Sequence, residues 1–200
     1  MNLVYLDNNA TTMVAPEVVE AMLPYFTNEY GNPSSIYDLA HGANEAVKKS
    51  REVIADFLGA KDPKEIIFTS CGSESANMAI KGVLDVNRNK KHIITTRVEH
   101  PCVLNLYKDL EKKGYQVSWI DVDFKGELNV GQLLKAITPD TALVSVMMAN
   151  NETGTIYPVD KIAEAVKMQN PETKVFVDGV QAAGKIPINL KDTKIDLFGI

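Results

Sequence analysis

Six short apolar runs rich in β-branched residues recur along the 200-residue chain, and helix-like patterns separate most of them. The runs are Glu65 to Thr69, His92 to Thr96, Tyr115 to Val122, Ala142 to Met148, Lys174 to Val177 and Ile195 to Ile200. In the segment 44–59, Ala46, Val47, Val53, Ile54, Phe57 and Leu58 fall on one face at a 3.6-residue period, and Gly59 supplies the stop. Helices are also expected at Ser75 to Val86, Cys102 to Lys113, Val130 to Ile137 and Val159 to Met168. Strands that alternate with helices imply right-handed βαβ units and a mostly parallel sheet, so the fold class is α/β. Ligands of such folds bind at the carboxyl edge of the sheet. The residues that follow each run therefore carry the functional argument.

After the run Lys174-Val-Phe-Val come Asp178 and Gln181. A carboxylate covered in that place needs a partner, and a cationic ring nitrogen is one; a turn cap is the other reading. After Thr69 comes Ser70-Cys71-Gly72-Ser73-Glu74-Ser75 at the start of a helical pattern, where free backbone N–H groups and the helix dipole favour an anion such as phosphate. Ser and Gly also serve there as ordinary N-caps. Neither the Walker A pattern nor GxGxxG is present. The next run leads into Glu99-His100-Pro101, placing an imidazole at the same edge, suited to stacking, to proton transfer or to a structural bond. After Met148 come Asn150 and Asn151, adjacent amides that bind carboxylates or hydroxyls, or else build a turn. A phosphate cradle, a flat ring, amides and a buried acid together describe a pocket for pyridoxal 5'-phosphate.

The 45% apolar and 24% charged composition is that of a globular protein, with one large domain as the starting expectation. A net charge of −5 without a basic stripe argues against nucleic acid. No apolar run approaches a membrane span and the N-terminus has no signal-like pattern, so no membrane partner and a cytoplasmic setting are expected. Cys71 and Cys102 form no CxxC pair and HExxH is absent, so neither a disulfide framework nor a metal site is expected. The chain stops at the last apolar residue of a strand-like run, which reads as a fragment of a longer protein.

Tyr5-Leu-Asp-Asn-Asn-Ala-Thr-Thr12, Gly31-Asn-Pro-Ser-Ser35, Phe68-Thr-Ser-Cys-Gly-Ser-Glu-Ser75, Glu99-His100, Asn150-Asn-Glu-Thr-Gly154 and Val177-Asp-Gly-Val-Gln181 occur in that order over essentially the whole chain. Together they resemble cysteine desulfurases of the NifS/IscS type, class V aminotransferase relatives of fold type I. The resemblance implies the three-layer large domain of those pyridoxal-phosphate transferases, incomplete at its C-terminus. Residues 1–15 would be the N-terminal segment of a small domain, and 16–200 the first part of the large cofactor domain. Gly72 and Ser73 would bind the cofactor phosphate, His100 would stack on its ring and carry protons, and Asn151 would contact a ring substituent or the substrate carboxylate. Asp178 would pair with the ring nitrogen and Gln181 with the ring hydroxyl.

The same resemblance implies L-cysteine as substrate, alanine and a protein persulfide as products, an iron–sulfur scaffold protein as sulfur acceptor and a homodimer in the full-length form. Tyr37 stands where the family often has His, and Gly72-Ser73 replaces Ala-Thr. The family's Schiff-base lysine and persulfide cysteine would follow after Ile200, so the 200 residues alone are expected to be inactive, with Cys71 and Cys102 structural. A selenocysteine lyase, another class V aminotransferase, and a non-catalytic docking or folding unit are the rival readings.

Overall fold

The chain divides into two compact units, Met1–Ile67 and Phe68–Ile200; the structure, a computed structural model, describes residues 4–200. In the first unit, helices α1 (Pro16–Met22) and α2 (Pro24–Thr27) each begin with proline at the first turn, where the missing N–H costs nothing. Helix α3 (His41–Leu58) starts three residues before its apolar pattern, because the 3-10 turn Asp38–Ala40 leads into it. It ends at Gly59, whose φ of 67° is the left-handed cap that glycine adopts without strain. The expected apolar face of α3 is only partly buried. Ala43, Ala55 and Leu58 are covered, whereas Val53 and Phe57 stay 58% and 49% exposed. Periodicity sets the helix, but covering its stripe takes a neighbouring layer.

The stretch Gly31 to Ser35 is a built loop. A Cβ on Gly31 would collide with the Leu39 carbonyl. The Asn32 side chain accepts from the Ser34 N–H at 2.9 Å, and Asn44 on α3 donates to the Pro33 carbonyl at 2.7 Å. The strand expected at Glu65 to Thr69 is not part of the sheet: Pro63–Glu65 is a 3-10 turn capped by Asp62, and the residues after it join no ladder. An apolar run makes a strand only where a partner presents a matching edge.

The second unit holds one parallel sheet in the order β2-β1-β3-β4-β5. Its strands are β1 (His92–Thr96), β2 (Gln116–Ile120), β3 (Thr141–Met147), β4 (Lys174–Asp178) and β5 (Leu197–Gly199), each within a residue or two of its expected run. Helices α4 (Gly72–Val86), α5 (Pro101–Lys112), α6 (Val130–Ala136) and α7 (Val159–Gln169) match the remaining patterns, with α4 starting three residues early.

Successive side chains on a strand point to opposite faces, and both faces here are apolar. Ile93, Leu143 and Phe176 pack with Ile80, Leu84, Val103 and Tyr107 of α4 and α5. Ile94, Val144, Val175 and Val177 pack with Leu133, Ile162 and Val166 of α6 and α7. The unit is therefore a three-layer α/β sandwich.

Asp196 secures the last strand. Its Oδ2 accepts from the Val175 N–H at 2.8 Å and Lys167 Nζ at 2.7 Å, and its Oδ1 from Lys174 Nζ at 3.1 Å. Replacing Asp196 by Ala removes the counter-charge of Lys167 and Lys174 and leaves the Val175 N–H without its side-chain acceptor, while Lys167 keeps its bond to the Thr173 carbonyl. A loss of about 2–3 kcal/mol is expected in urea unfolding, and a midpoint within error of the parent would show that the pair is solvent-screened.

Candidate cofactor site at the carboxyl edge of the sheet

Chain order and sheet order together locate the site. From β1 the chain passes through α5 to β2 on one side; from β2 it returns past β1 through α6 to β3. Strands β1 and β3 are thus neighbours whose connections run to opposite faces, the switch point where α/β sheets open a crevice at their carboxyl ends. His100 follows β1, Asn150 and Asn151 follow β3, and Asp178 ends β4.

At the start of α4, Ser70 N–H donates to Glu74 Oε2 at 2.6 Å, which ties the residue before the N-cap Cys71 to the first turn. Thr69 and Ser75 hydroxyls meet at 2.7 Å. A Cβ added to Gly72 would stand 2.8 Å from Val180 Cγ2, so a larger residue in this turn requires the Val180 side chain to shift. Cys71 is exposed rather than built into the core. Its thiol is held below the ordinary value by the N–H of Glu74, the Ser70 hydroxyl and the N–H of Ser73. That is the preference for negative charge expected of a helix N-terminus.

His100 is the N-cap of α5, and its Nδ1 accepts from the Cys102 N–H at 3.3 Å, with Cys102 Sγ at 3.0 Å. Burial pushes the Cys102 thiol up, opposed by the Ser73 hydroxyl and reinforced by the Asp178 charge. Asp178 is 8% exposed. Burial raises its pKa, while the Val180 N–H, at 3.1 Å from Oδ1, and His100 pull the other way. Ser73, His100, Cys102 and Asp178 therefore act on one another although they come from α4, the β1–α5 turn, the first turn of α5 and the end of β4.

The two adjacent amides have different places. Asn150 is buried and fully used: its Nδ2 donates to the Val98 carbonyl at 3.0 Å, and its Oδ1 accepts from the N–H groups of Glu152 and Thr153, both at 2.9 Å. It shapes the loop. Asn151 is half-buried and donates to Glu152 Oε1 at 3.0 Å. Gln181 is half-buried in the segment after β4, where its Oε1 accepts from Lys185.

Glu99 entered the sequence reading only as the neighbour of His100. It is 3% exposed. Its Oε1 accepts from the Thr96 hydroxyl at 2.7 Å and from the Met147 N–H at 3.0 Å, which ties the turn carrying His100 to the end of β3. Its Oε2 is buried without a hydrogen-bond partner among the described residues. An acid beside a strand-end His was the available signal, but burial is a tertiary property.

Among the described residues no group of three or more His, Cys, Asp or Glu side chains could hold a metal ion, and no helix is long and apolar enough to cross a membrane.

The family model described as aminotransferase class-V matches residues 4–200. A cysteine desulfurase of Trichormus azollae is 50% identical over 201 residues, covering 100% of this chain and 49% of that protein. The solved structure of a NifS-like protein superposes with a TM-score of 0.94 at 44% identity, covering 98% of this chain and 54% of that one. SspA in complex with cysteine gives a TM-score of 0.91 at 37% identity over 98% of this chain and 56% of that chain. The chain thus spans about half the length of the curated relatives it matches. Its α/β architecture is that of the fold-type I enzymes, as the motif resemblance implied. With a matching family model over residues 4–200, the chain belongs to the class-V aminotransferase family.

Proposed function

We propose that the protein to which these residues belong is a pyridoxal-phosphate-dependent cysteine desulfurase that converts L-cysteine to L-alanine and passes the sulfur as a persulfide to an iron–sulfur scaffold protein. The observation that carries the reading is Asp178: a carboxylate buried at the end of β4, its pKa raised by that burial, accepting from the Val180 N–H and lying within electrostatic reach of His100. A protonated ring nitrogen is the partner its chemistry calls for. The close approach at Gly72, with the anion-favouring first turn of α4, fits a phosphate.

In this reading Gly72 and Ser73 hold the phosphate, His100 lies on the ring face and carries a proton, Asp178 keeps the ring nitrogen protonated, and Gln181 bonds the ring hydroxyl. Asn151 contacts a ring substituent or the substrate carboxylate. Bound there, pyridoxal 5'-phosphate supplies the electron-accepting ring that weakens bonds at the α-carbon of an amino acid. Residues 1–15 belong to a small domain and 16–200 to the large cofactor domain. The full-length protein works as a homodimer in the cytoplasm. The 200 residues alone bind the cofactor by these contacts without the covalent lysine and do not turn over.

The test has two arms. The purified 200-residue chain titrated with pyridoxal phosphate is expected to show saturable binding that inorganic phosphate competes away and that borohydride does not trap on one lysine. Full-length protein given L-cysteine is expected to release alanine with reducible sulfur. Keto-acid formation in its place would shift the reading to an aminotransferase, and selenocysteine turnover without cysteine turnover to a selenocysteine lyase. A chain that captures a scaffold protein yet shows no cofactor binding would be a docking unit only.

A further inference from the structure

Nδ1 of His100 meets two groups of a single residue, the Cys102 N–H at 3.3 Å and the Cys102 thiol sulfur at 3.0 Å. A backbone N–H can only donate, so Nδ1 must present its lone pair, and a neutral imidazole then carries its proton on Nε2. The thiol faces that same lone pair, where its S–H is the complementary group. Its burial keeps the thiol protonated, and the Ser73 hydroxyl interacts with the same sulfur. A continuous line of polar contacts, Ser73 to Cys102 to His100, therefore joins the first turn of α4 to the imidazole.

We propose that Cys102 is a positioning residue that holds the His100 ring in the Nε2–H tautomer and in a fixed plane, through two donors delivered by the first turn of α5. Sequence gives Cys102 a structural role, and the residue does pack against the α4–α5 core, but its sulfur also meets His100 Nδ1 at 3.0 Å and the Ser73 hydroxyl. The consequence is chemical. With Nδ1 occupied, His100 exchanges protons through Nε2 alone, and its ring cannot swing to offer the other nitrogen. That the fixed ring serves a bound cofactor rests on the function proposed above; the tautomer lock itself rests only on the contacts between His100 and Cys102.

The chain has three histidines, which makes direct observation practical. Long-range 1H–15N correlation spectra of the cofactor-free 200-residue chain, at alkaline pH where imidazole is neutral, report which ring nitrogen bears the proton. His100 is expected to show an unprotonated Nδ1 and a protonated Nε2. Cys102→Ala removes the thiol donor and keeps the helix; the Nδ1–H population of His100 is expected to rise roughly fivefold, the effect of losing one net hydrogen bond. Cys102→Ser retains a donor and should return the population to that of the parent. A parent ring with its proton on Nδ1 would overturn the proposal, as would identical His100 spectra in all three proteins or a Ser variant that behaves like Ala. His92, held by Thr141 and Ser118 at the opposite edge, is the internal control and should not move. Failure of the parent chain to bind pyridoxal phosphate, with the tautomer signature intact, would strike the functional reading and leave this one standing.

Discussion

Glu99→Gln is expected to make the protein markedly more stable than its parent under alkaline conditions, while the two remain close in acid. Burial pushes the Glu99 carboxyl up to about 8, against bonds from the Thr96 hydroxyl and the Met147 N–H that pull it down; the Asp178 charge adds to the rise. The unfolded chain releases this proton near 4.5. A raised folded value means that the folded state binds the proton more tightly, so this contribution is complete below pH 4.5 and is lost as pH climbs toward 8. Glutamine keeps the acceptor for Met147 and Thr96 and has nothing to ionise. Above pH 8 the variant should therefore lead by a few kcal/mol, on the order of 3–5 from the linkage relation. Urea midpoints measured from acid to alkali decide it. The parent curve should fall relative to the variant, and parallel curves would mean that Glu99 is ionised and solvated. Glu99→Ala, which leaves the Met147 N–H without its acceptor, should lie about 2–3 kcal/mol below Glu99→Gln at every pH.

Asp178→Asn is expected to move stability and cofactor affinity in opposite directions. In the cofactor-free protein the carboxylate is covered and accepts from the Val180 N–H at 3.1 Å. An amide oxygen can accept that bond equally well without the cost of a buried charge. The cofactor-free variant should gain about 1 kcal/mol at neutral pH, read as a higher melting temperature. Its affinity for pyridoxal phosphate should fall roughly a hundredfold, because a buried partner for the ring nitrogen is lost. Gain in one and loss in the other is the mark of a residue kept for its ligand. If the variant is less stable and binds as well as the parent, Asp178 is the turn cap that its sequence position also allows.

The fold was legible where local and global preferences agree. The runs around Ile93, Val144 and Val175 are apolar at consecutive positions, which is what a parallel strand covered on both faces requires, and each became a sheet strand. The run at Ile66 and Ile67 has the same composition yet joins no ladder, because an upstream Asp62–Pro63 turn diverts the chain and strand pairing is a contact between distant segments. At the site, Asp178, His100 and the Gly72–Ser73 turn could be read from their places after apolar runs. The split between a structural Asn150 and a more accessible Asn151 could not, since the two amides are identical in sequence and differ only in what surrounds them.

The amino-acid order by itself determined the class of fold, the strand ends that bear polar groups and the family that those groups mark. Tertiary structure alone decided that β1 and β3 lie side by side at the switch point, that Glu99 is sealed from water, and that the Cys102 sulfur touches the His100 ring. The reason is physical: periodicity and turn chemistry act over a few residues, whereas desolvation and hydrogen-bond pairing depend on which remote segments the sheet brings together.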